Sequence, residues 1–206
     1  MQATPATYEF GVGELFTVLF VMLGPLKLIG PFGAGTRNLG DAALRSLAFK
    51  ATAIATVTAL LGGFLGRSLL DKWEVSVPAL LLAAGVVFFL VSLKMVMVPY
   101  EHPAETEPAP VLKAFDVAFP LMVTPYGIAT VIALLNYSRD QYRLVTIVLL
   151  IVGMMVLNLL AMLFVRPILK YLGLPLKLLG AVLGVLLLAL SVQIILDALG
   201  RAGIVR

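Results

Sequence analysis

The chain has 206 residues, of which 61% are hydrophobic and 13% are charged, with a formal net charge of +4. Soluble domains carry about 25% charged residues, so this composition indicates an integral membrane protein, and the small positive charge indicates no nucleic-acid partner. The absence of cysteine excludes thiol redox chemistry and thiolate metal sites, and a single histidine excludes a histidine metal cluster. We therefore expect neither a metal nor a cofactor.

Six apolar stretches follow one another along the chain, each long enough to cross a bilayer at about 20 residues per span. They cover residues 13–35, 47–70, 77–98, 115–135, 144–165 and 178–199. The sequence therefore predicts an all-α integral membrane fold with six transmembrane helices.

The longest polar stretch, residues 99–113, is rich in proline and acidic side chains and is predicted to be an exposed linker. It divides the chain into a first three-helix unit, residues 1–98, and a second, residues 114–206. Residues 1–13 contain no Lys or Arg, so we expect the first helix to be retained. The loops after helices 1, 3 and 5 hold one more Lys or Arg than the opposite side, which places both termini outside the cytoplasm.

One short phrase occurs in both halves: residues 31–36 read PFGAGT and residues 125–130 read PYGIAT. Proline and glycine break helices, and a break at membrane depth must line a protein-enclosed or watery cavity. Matched breaks in two halves indicate a transporter binding site, whereas the alternative is a pair of kinks that aid packing. The residues concerned are Pro31, Gly33, Thr36, Pro125, Tyr126, Gly127 and Thr130, the two threonines being equally suited to capping the broken ends.

The halves also match elsewhere at a constant spacing of 99 positions, which pairs Gly85 with Gly184 and Arg67 with Arg166. The phrase in the first helix is spaced by 94, which a five-residue difference in loop length would reconcile. Because each half has three spans, the second copy enters the membrane from the opposite side. This predicts a 3+3 inverted-topology repeat, with helices 1 and 4 broken at Pro/Gly and brought together near the midplane.

Lys27 is the most unusual single residue, since it lies deep in the first apolar stretch. A charge near the bilayer centre costs about 2.5–3.5 kcal/mol on insertion scales, so such residues usually face a cavity or a partner. Lys27 is interpreted as a cationic site for a carboxylate or phosphate, or as a switchable proton site, with Asp116 or Glu14 as its counter-ion. The alternative is that its ammonium group snorkels to water.

Asn158 and Gln193 are uncharged polar residues in apolar surroundings, suited either to lining a site or to bonding between helices. The predicted substrate site consists of Pro25, Lys27, Pro31, Gly33, Thr36, Thr124, Pro125, Tyr126, Gly127 and Thr130, with Asn158 and Gln193 as additional polar lining. No catalytic triad, phosphate-binding loop or paired-carboxylate motif is present, so we expect no enzyme.

Four short motifs, in order, resemble the MarC family of inner-membrane proteins within the LysE-type transporter superfamily. Residues 24–26 read GPL where the family reads Asn-Pro-Leu, and 75–80 read VSVPAL, similar to Ile-Ser-Ile-Pro-x-Leu. Residues 120–128 read PLMVTPYGI, similar to Pro-x-x-x-Gly-Pro-Gly-x-Ile, and 191–195 read SVQII, similar to Gly-x-Gln-x-Ile. Gly24, Thr124, Tyr126 and Lys27 depart from the family pattern, which marks a divergent member.

The resemblance implies a multi-pass protein of the bacterial inner membrane and, for some members, transport of small neutral amino acids. The sequence hypothesis is a secondary transporter of a small polar metabolite, with a neutral amino acid favoured. The alternatives are a protein that binds or flips a lipid or polyprenyl phosphate, and a membrane scaffold without transport. Expected partners are membrane lipid and a small-molecule substrate, and a homo-oligomer is left open.

Overall fold

The computed structural model describes residues 11–97, 112–137 and 140–204, and the regular structure in these ranges is entirely helical. The predicted linker lies almost wholly outside the described residues. We number the helices α1 (Val12–Leu23), α2 (Leu26–Gly35), α3 (Asp41–Lys72), α4 (Val77–Met97), α5 (Ala114–Met122), α6 (Pro125–Tyr137), α7 (Gln141–Leu163) and α8 (Val165–Arg201).

Every apolar stretch predicted from the sequence falls on one or two of these helices. Four described segments are long and apolar enough to cross a membrane, and the bent pair α5–α6 adds a fifth when it is counted as one span. The four segments are Leu15–Gly35, Asp41–Lys72, Gln141–Leu163 and Gly184–Arg201. Helix α4 supplies a shorter apolar segment, Pro78–Leu90. The protein is therefore an all-helical, multi-pass membrane protein.

The first span is interrupted between α1 and α2, at Gly24 and Pro25. Pro25 has no N–H, and its ring disfavours helical backbone in the preceding residue, so α1 ends at Leu23. A Cβ on Gly24 would lie 1.9 Å from the carbonyl oxygen of Phe20, so no larger residue fits this interruption without a backbone shift.

The sequence prediction that the phrase at residues 31–36 breaks the first helix is wrong. Helix α2 continues through Pro31 and ends only at Gly35. A proline in the second turn removes a single backbone bond, whereas the face formed by Leu28, Ile29 and Phe32 is buried in the core. That burial holds the helix together across the proline.

The fourth span is broken at the predicted place. Helix α5 loses regular α-geometry after Asp116, with extended backbone at Phe119 (φ −141°, ψ 125°) and again at Val123 (φ −105°, ψ 100°). Helix α6 then begins at Pro125, and its axis is turned by 61° from that of α5.

The connection between α7 and α8 differs from the sequence prediction. A loop was expected around Arg166 and Lys170, but α8 already begins at Val165 and is 37 residues long, about 55 Å at the α-helical rise. Arg166 and Lys170 are four positions apart, so they share one helical face. A polar face of a helix resembles a loop in composition, although the helix continues through it, which explains why a loop was predicted here.

Close packing around α3 and between α4 and α8 holds the bundle together. Helix α3 contacts α6 and α7, α4 contacts α8, α1 contacts α7, and α2 contacts α7 and α8. The glycines of α3 allow close packing on α6, since Gly63 and Gly66 lie against Val131 and Ile132. The two helix interruptions therefore face each other inside the bundle, where α1 meets α6 and α2 meets the end of α5.

Candidate substrate site

Lys27, in the first turn of α2, is the centre of the polar groups between the two interruptions. Its Nζ donates a hydrogen bond to the carbonyl oxygen of Met22 and lies 3.5 Å from Oγ1 of Thr124. The same ammonium group lies 5.1 Å from the centroid of the Tyr126 ring, within the range of a cation–π interaction. One cation thus joins both interruptions of the bundle.

No carboxylate in the described residues forms an ion pair with Lys27. Asp116, one of the two counter-ions that the sequence suggested, is exposed and accepts a hydrogen bond from the backbone N–H of Lys113 at 3.2 Å. The side chain of Glu14, the other suggestion, lies outside the described residues. Among the described residues, the partners of the Lys27 ammonium group are dipoles and an aromatic face.

Thr124 and Gly127 form the beginning of α6. Oγ1 of Thr124 accepts a hydrogen bond from the Gly127 N–H at 3.1 Å, as a capping hydroxyl does at a helix N-terminus. A Cβ on Gly127 would lie 2.8 Å from Cδ2 of Leu23, because the end of α1 packs directly on the start of α6. The absence of a side chain at Gly127 lets the two interruptions approach.

Asn158, in the middle of α7, contributes the second polar side chain to the first interruption. It is fully buried, and its Nδ2 donates a hydrogen bond of 2.6 Å to the carbonyl oxygen of Leu23. Its Oδ1 is also buried and has no hydrogen-bond partner among the described residues. Buried acceptors are rarely left unpaired, so this oxygen lacks a donor that the described residues do not supply.

An aromatic wall covers the site on the side of α4. Tyr126 is 9% exposed, and its ring stacks on that of Phe88 with centroids 6.4 Å apart. The Tyr126 ring therefore contacts both the Phe88 ring and the ammonium group of Lys27. Movement of Tyr126 would require both contacts to rearrange.

The remaining predicted residues lie away from this cluster. Thr36 donates to the carbonyl oxygen of Phe32 at 2.6 Å and is about 13 Å from Lys27 along the helix axis. Thr130 donates to the carbonyl oxygen of Tyr126 at 2.9 Å, so both threonines bond within their own helices. Gln193 is exposed and donates to Asp197 at 2.8 Å, one turn further along α8.

The predicted prolines and glycines are divided in the same way. Pro25 is buried at the first interruption, whereas Pro31 and Pro125 are exposed. Gly33 packs beneath Leu169 and Val165 of α8, outside the cluster. The structure thus brings together six of the predicted residues, namely Pro25, Lys27, Thr124, Tyr126, Gly127 and Asn158.

Sequence reasoning did not identify three contributors to this cluster: the carbonyl groups of Met22 and Leu23 and the ring of Phe88. The two carbonyl groups lie in the last turn of α1, where backbone acceptors lack partners within the helix. The Gly24-Pro25 pair was the signal for them, since α1 ends at Leu23, directly before this pair. Phe88 carries no such signal, because it is one apolar residue among many in α4.

Interrupted apolar helices with polar groups gathered at the interruptions define a multi-pass helical membrane protein with a polar centre. The chain belongs to the MarC family: the family model described as MarC family integral membrane protein matches residues 11–202. A UPF0056 membrane protein of Archaeoglobus fulgidus is 25% identical over 193 residues, which cover 90% of this chain and 91% of that protein. No solved structure matches the chain significantly. The resemblance inferred from the motifs is confirmed.

Proposed function

We propose that the protein is a secondary transporter of a small polar metabolite, with neutral amino acids as the favoured substrate class. The substrate binds where the interruptions of the first and fourth spans meet. The observation that carries this proposal is the position of Lys27, which reaches the Met22 carbonyl of one interruption and the Thr124 hydroxyl of the other. Ionisable residues inside a membrane usually mark substrate or ion pathways.

The groups in the cluster match a zwitterion at two separate places. A carboxylate would bind the Lys27 ammonium group and the Thr124 hydroxyl, next to the N-terminus of α6, where helices favour anions. An ammonium group would bind Oδ1 of Asn158, which has no partner among the described residues, beside the carbonyl oxygens of Met22 and Leu23. On binding, the carboxylate would replace the Met22 carbonyl as the partner of Lys27.

The same cluster favours a small side chain without charge. Leu23 approaches Gly127 closely, and the stacked rings of Tyr126 and Phe88 form the opposite wall. The described residues of the cluster hold a single cation and no carboxylate, so a second substrate charge would be unpaired. A neutral amino acid such as glycine or alanine meets both conditions.

We further propose that the chain is the 3+3 inverted repeat predicted from sequence, with residues 1–98 and 114–206 as its units. Contacts exchange under the spacing of 99 positions: Gly33 packs on Val165, and their counterparts Ile132 and Gly66 also pack on each other. Lys27 and Tyr126 are themselves 99 positions apart and touch, as residues beside a two-fold axis would. A single spacing thus serves all spans, and the match at 94 is not needed.

The arrangement of helices supports the same repeat. The contacts of α1 with α7 have their counterpart in those of α5 with α3, and the contact of α2 with α8 has its counterpart in those of α6 with α3 and α4. The proposal includes six spans in a bacterial plasma membrane, with both termini outside the cytoplasm. Alternating access arises as one unit rocks against the other.

The test is ligand-dependent thermal stabilisation of the purified protein in detergent, with glycine, alanine, glutamate, lysine and a polyprenyl phosphate as ligands. We expect alanine or glycine to stabilise the protein by about 2.7 kcal/mol at 100 times its dissociation constant. Lys27→Ala should remove this stabilisation, whereas Lys50→Ala, at an exposed position on α3, should retain it. Each variant is compared with itself, with and without ligand.

Two outcomes contradict the proposal. Stabilisation by the polyprenyl phosphate alone would favour a lipid-handling protein, and stabilisation by no ligand would contradict substrate binding at the interruptions. Equal stabilisation of wild type and Lys27→Ala by alanine would keep the substrate class but remove Lys27 from the site.

A further inference from the structure

An ion pair joins the two halves of the chain at one end of the bundle. Arg166, at the start of α8, donates from one guanidinium nitrogen to the carboxylate of Asp41 and from another to the carbonyl oxygen of Leu39. Next to it, Val165 packs on Gly33 near the end of α2. These contacts hold the α2–α3 connection against α8.

The spacing of 99 positions relates both members of this pair to a second pair of the same residue types. Asp41 corresponds to Asp140, and Arg166 corresponds to Arg67. Their packing neighbours correspond as well, because Gly66 beside Arg67 lies against Ile132 of α6. Helix α6 ends five residues after Ile132, so Arg67 and Asp140 lie at the same end of the bundle.

The second pair is not formed in this structure. The carboxylate of Asp140 accepts a hydrogen bond from the Arg143 backbone N–H at 3.2 Å, as the cap of α7. Arg67 forms no ion pair with any residue in the described ranges. The two ends of the molecule thus carry the same pair of residue types, but the ion pair is formed at one end and not at the other.

We propose that the two Arg–Asp pairs are alternating latches, with Arg166–Asp41 closed in the state described here and Arg67–Asp140 closed in the state that faces the other side. This inference rests on the proposed transporter, because in an inverted repeat the two pairs lie at opposite membrane surfaces. Rocking of one unit against the other opens one latch as the other closes.

The exposure of the closed latch fits such a role. The side chains of Arg166 and Asp41 are 46% and 75% exposed, and exposed ion pairs are weak. Each latch therefore biases the two states by about two- to five-fold rather than locking one of them.

The test uses cysteine pairs, since the chain contains no cysteine of its own. The variant Arg67→Cys/Asp140→Cys is treated with a short bifunctional thiol reagent, so that its cross-linking rate reports the opposite state. We expect Asp41→Asn, or Arg166→Gln, to raise this rate by about two- to five-fold. Arg45→Gln, on an exposed position of the same first turns of α3, is the matched control and should leave the rate unchanged.

Cross-linking of Asp41→Cys/Arg166→Cys, which should be the faster of the two pairs, shows that a variant has reached the folded state described here. The proposal is overturned if that pair cross-links while the Arg67/Asp140 pair never does. It is also overturned if Asp41→Asn changes the Arg67/Asp140 rate no more than Arg45→Gln does. Thermal stabilisation by alanine is measured in parallel on the same proteins. If alanine does not stabilise the wild-type protein, the proposed function is contradicted, whatever the result for the latches.

Discussion

The two helix interruptions meet at one place but present opposite chemistry. At the first, α1 ends and offers the carbonyl oxygens of Met22 and Leu23, which are acceptors. At the second, α6 begins and offers the backbone N–H of Gly127 and the hydroxyl of Thr124. The comparison teaches that an end and a beginning placed side by side give a site with both polarities, although each interruption alone has only one.

The interruptions also differ in where their hydrogen-bond partners come from. The carbonyl oxygen of Leu23 is bonded by Asn158, a residue 135 positions away in the sequence, whereas the N–H of Gly127 is bonded by Thr124, three positions away. The first interruption therefore depends on the assembled bundle, and the second is capped locally. Substitutions at the partner of the first should cost more stability than substitutions at the partner of the second.

The largest effect is expected for Asn158→Ala. The substitution leaves the buried carbonyl oxygen of Leu23 without a donor and opens a small cavity, at a total cost of about 3 kcal/mol. Thermal unfolding in detergent measures it, with Gln193→Ala as the control, since that side chain is exposed and bonds only to Asp197. Equal unfolding temperatures of the two variants would show that the first interruption does not depend on Asn158.

A smaller loss, about 2 kcal/mol, is expected for Gly127→Ala, because the new Cβ meets Cδ2 of Leu23 at 2.8 Å and Oγ1 of Thr124 at 3.0 Å, so that the buried Leu23 side chain and the capping hydroxyl must shift. Gly153→Ala in α7 is the control with the opposite sign. A Cβ there meets nothing within 4 Å, so alanine should stabilise the helix by about 0.5–1 kcal/mol. The thermal unfolding midpoints of both variants test this prediction. An unchanged midpoint for Gly127→Ala would contradict the close approach of Leu23 to Gly127.

The smallest of the three effects is expected for Thr124→Val, which removes the local cap of α6 and should cost about 1 kcal/mol. Thr130→Val removes a hydroxyl bonded within its own helix and should cost about 0.5 kcal/mol or less. Thr124→Val should in addition weaken alanine binding, as measured by titration calorimetry, because the hydroxyl faces Lys27. Unchanged binding would remove Thr124 from the site and leave it as a cap alone.

The positions of the helices were predictable because bilayer thickness sets the length of an apolar stretch. The prediction that Lys27 contacts polar groups has a related basis, since a charge at that depth in the membrane must have a partner. Its partners were not predictable, because Met22, Thr124 and Tyr126 meet it only after the bundle has formed. The buried state of Asn158 and the exposed state of Gln193 were equally hidden, as both are amides in apolar helices.

The location of the first interruption shows why motif matching was misleading. Residues 31–36 repeat the letters of 125–130, and yet α2 passes through Pro31, because the burial of Leu28, Ile29 and Phe32 outweighs one lost backbone bond. Gly24-Pro25, which lacks a literal copy in the second half, ends α1 because glycine and proline act together there. The repeated sequence motif therefore identified the spans that are interrupted, whereas packing determined where the interruption of the first span lies.

The small buried face of α3 sets which substitutions the protein can accept over time. Its inward positions after Leu44 are Ala48, Ala51, Ala55, Ala59 and Gly63, whereas Phe49, Val57, Leu61 and Leu65 are exposed on the outside. Inward positions are confined to the smallest residues, because neighbouring helices approach the backbone itself. Outward positions need only remain apolar, so variation in this helix is expected to be one-sided, and a saturation mutagenesis profile of α3 would trace its inner face without any structure.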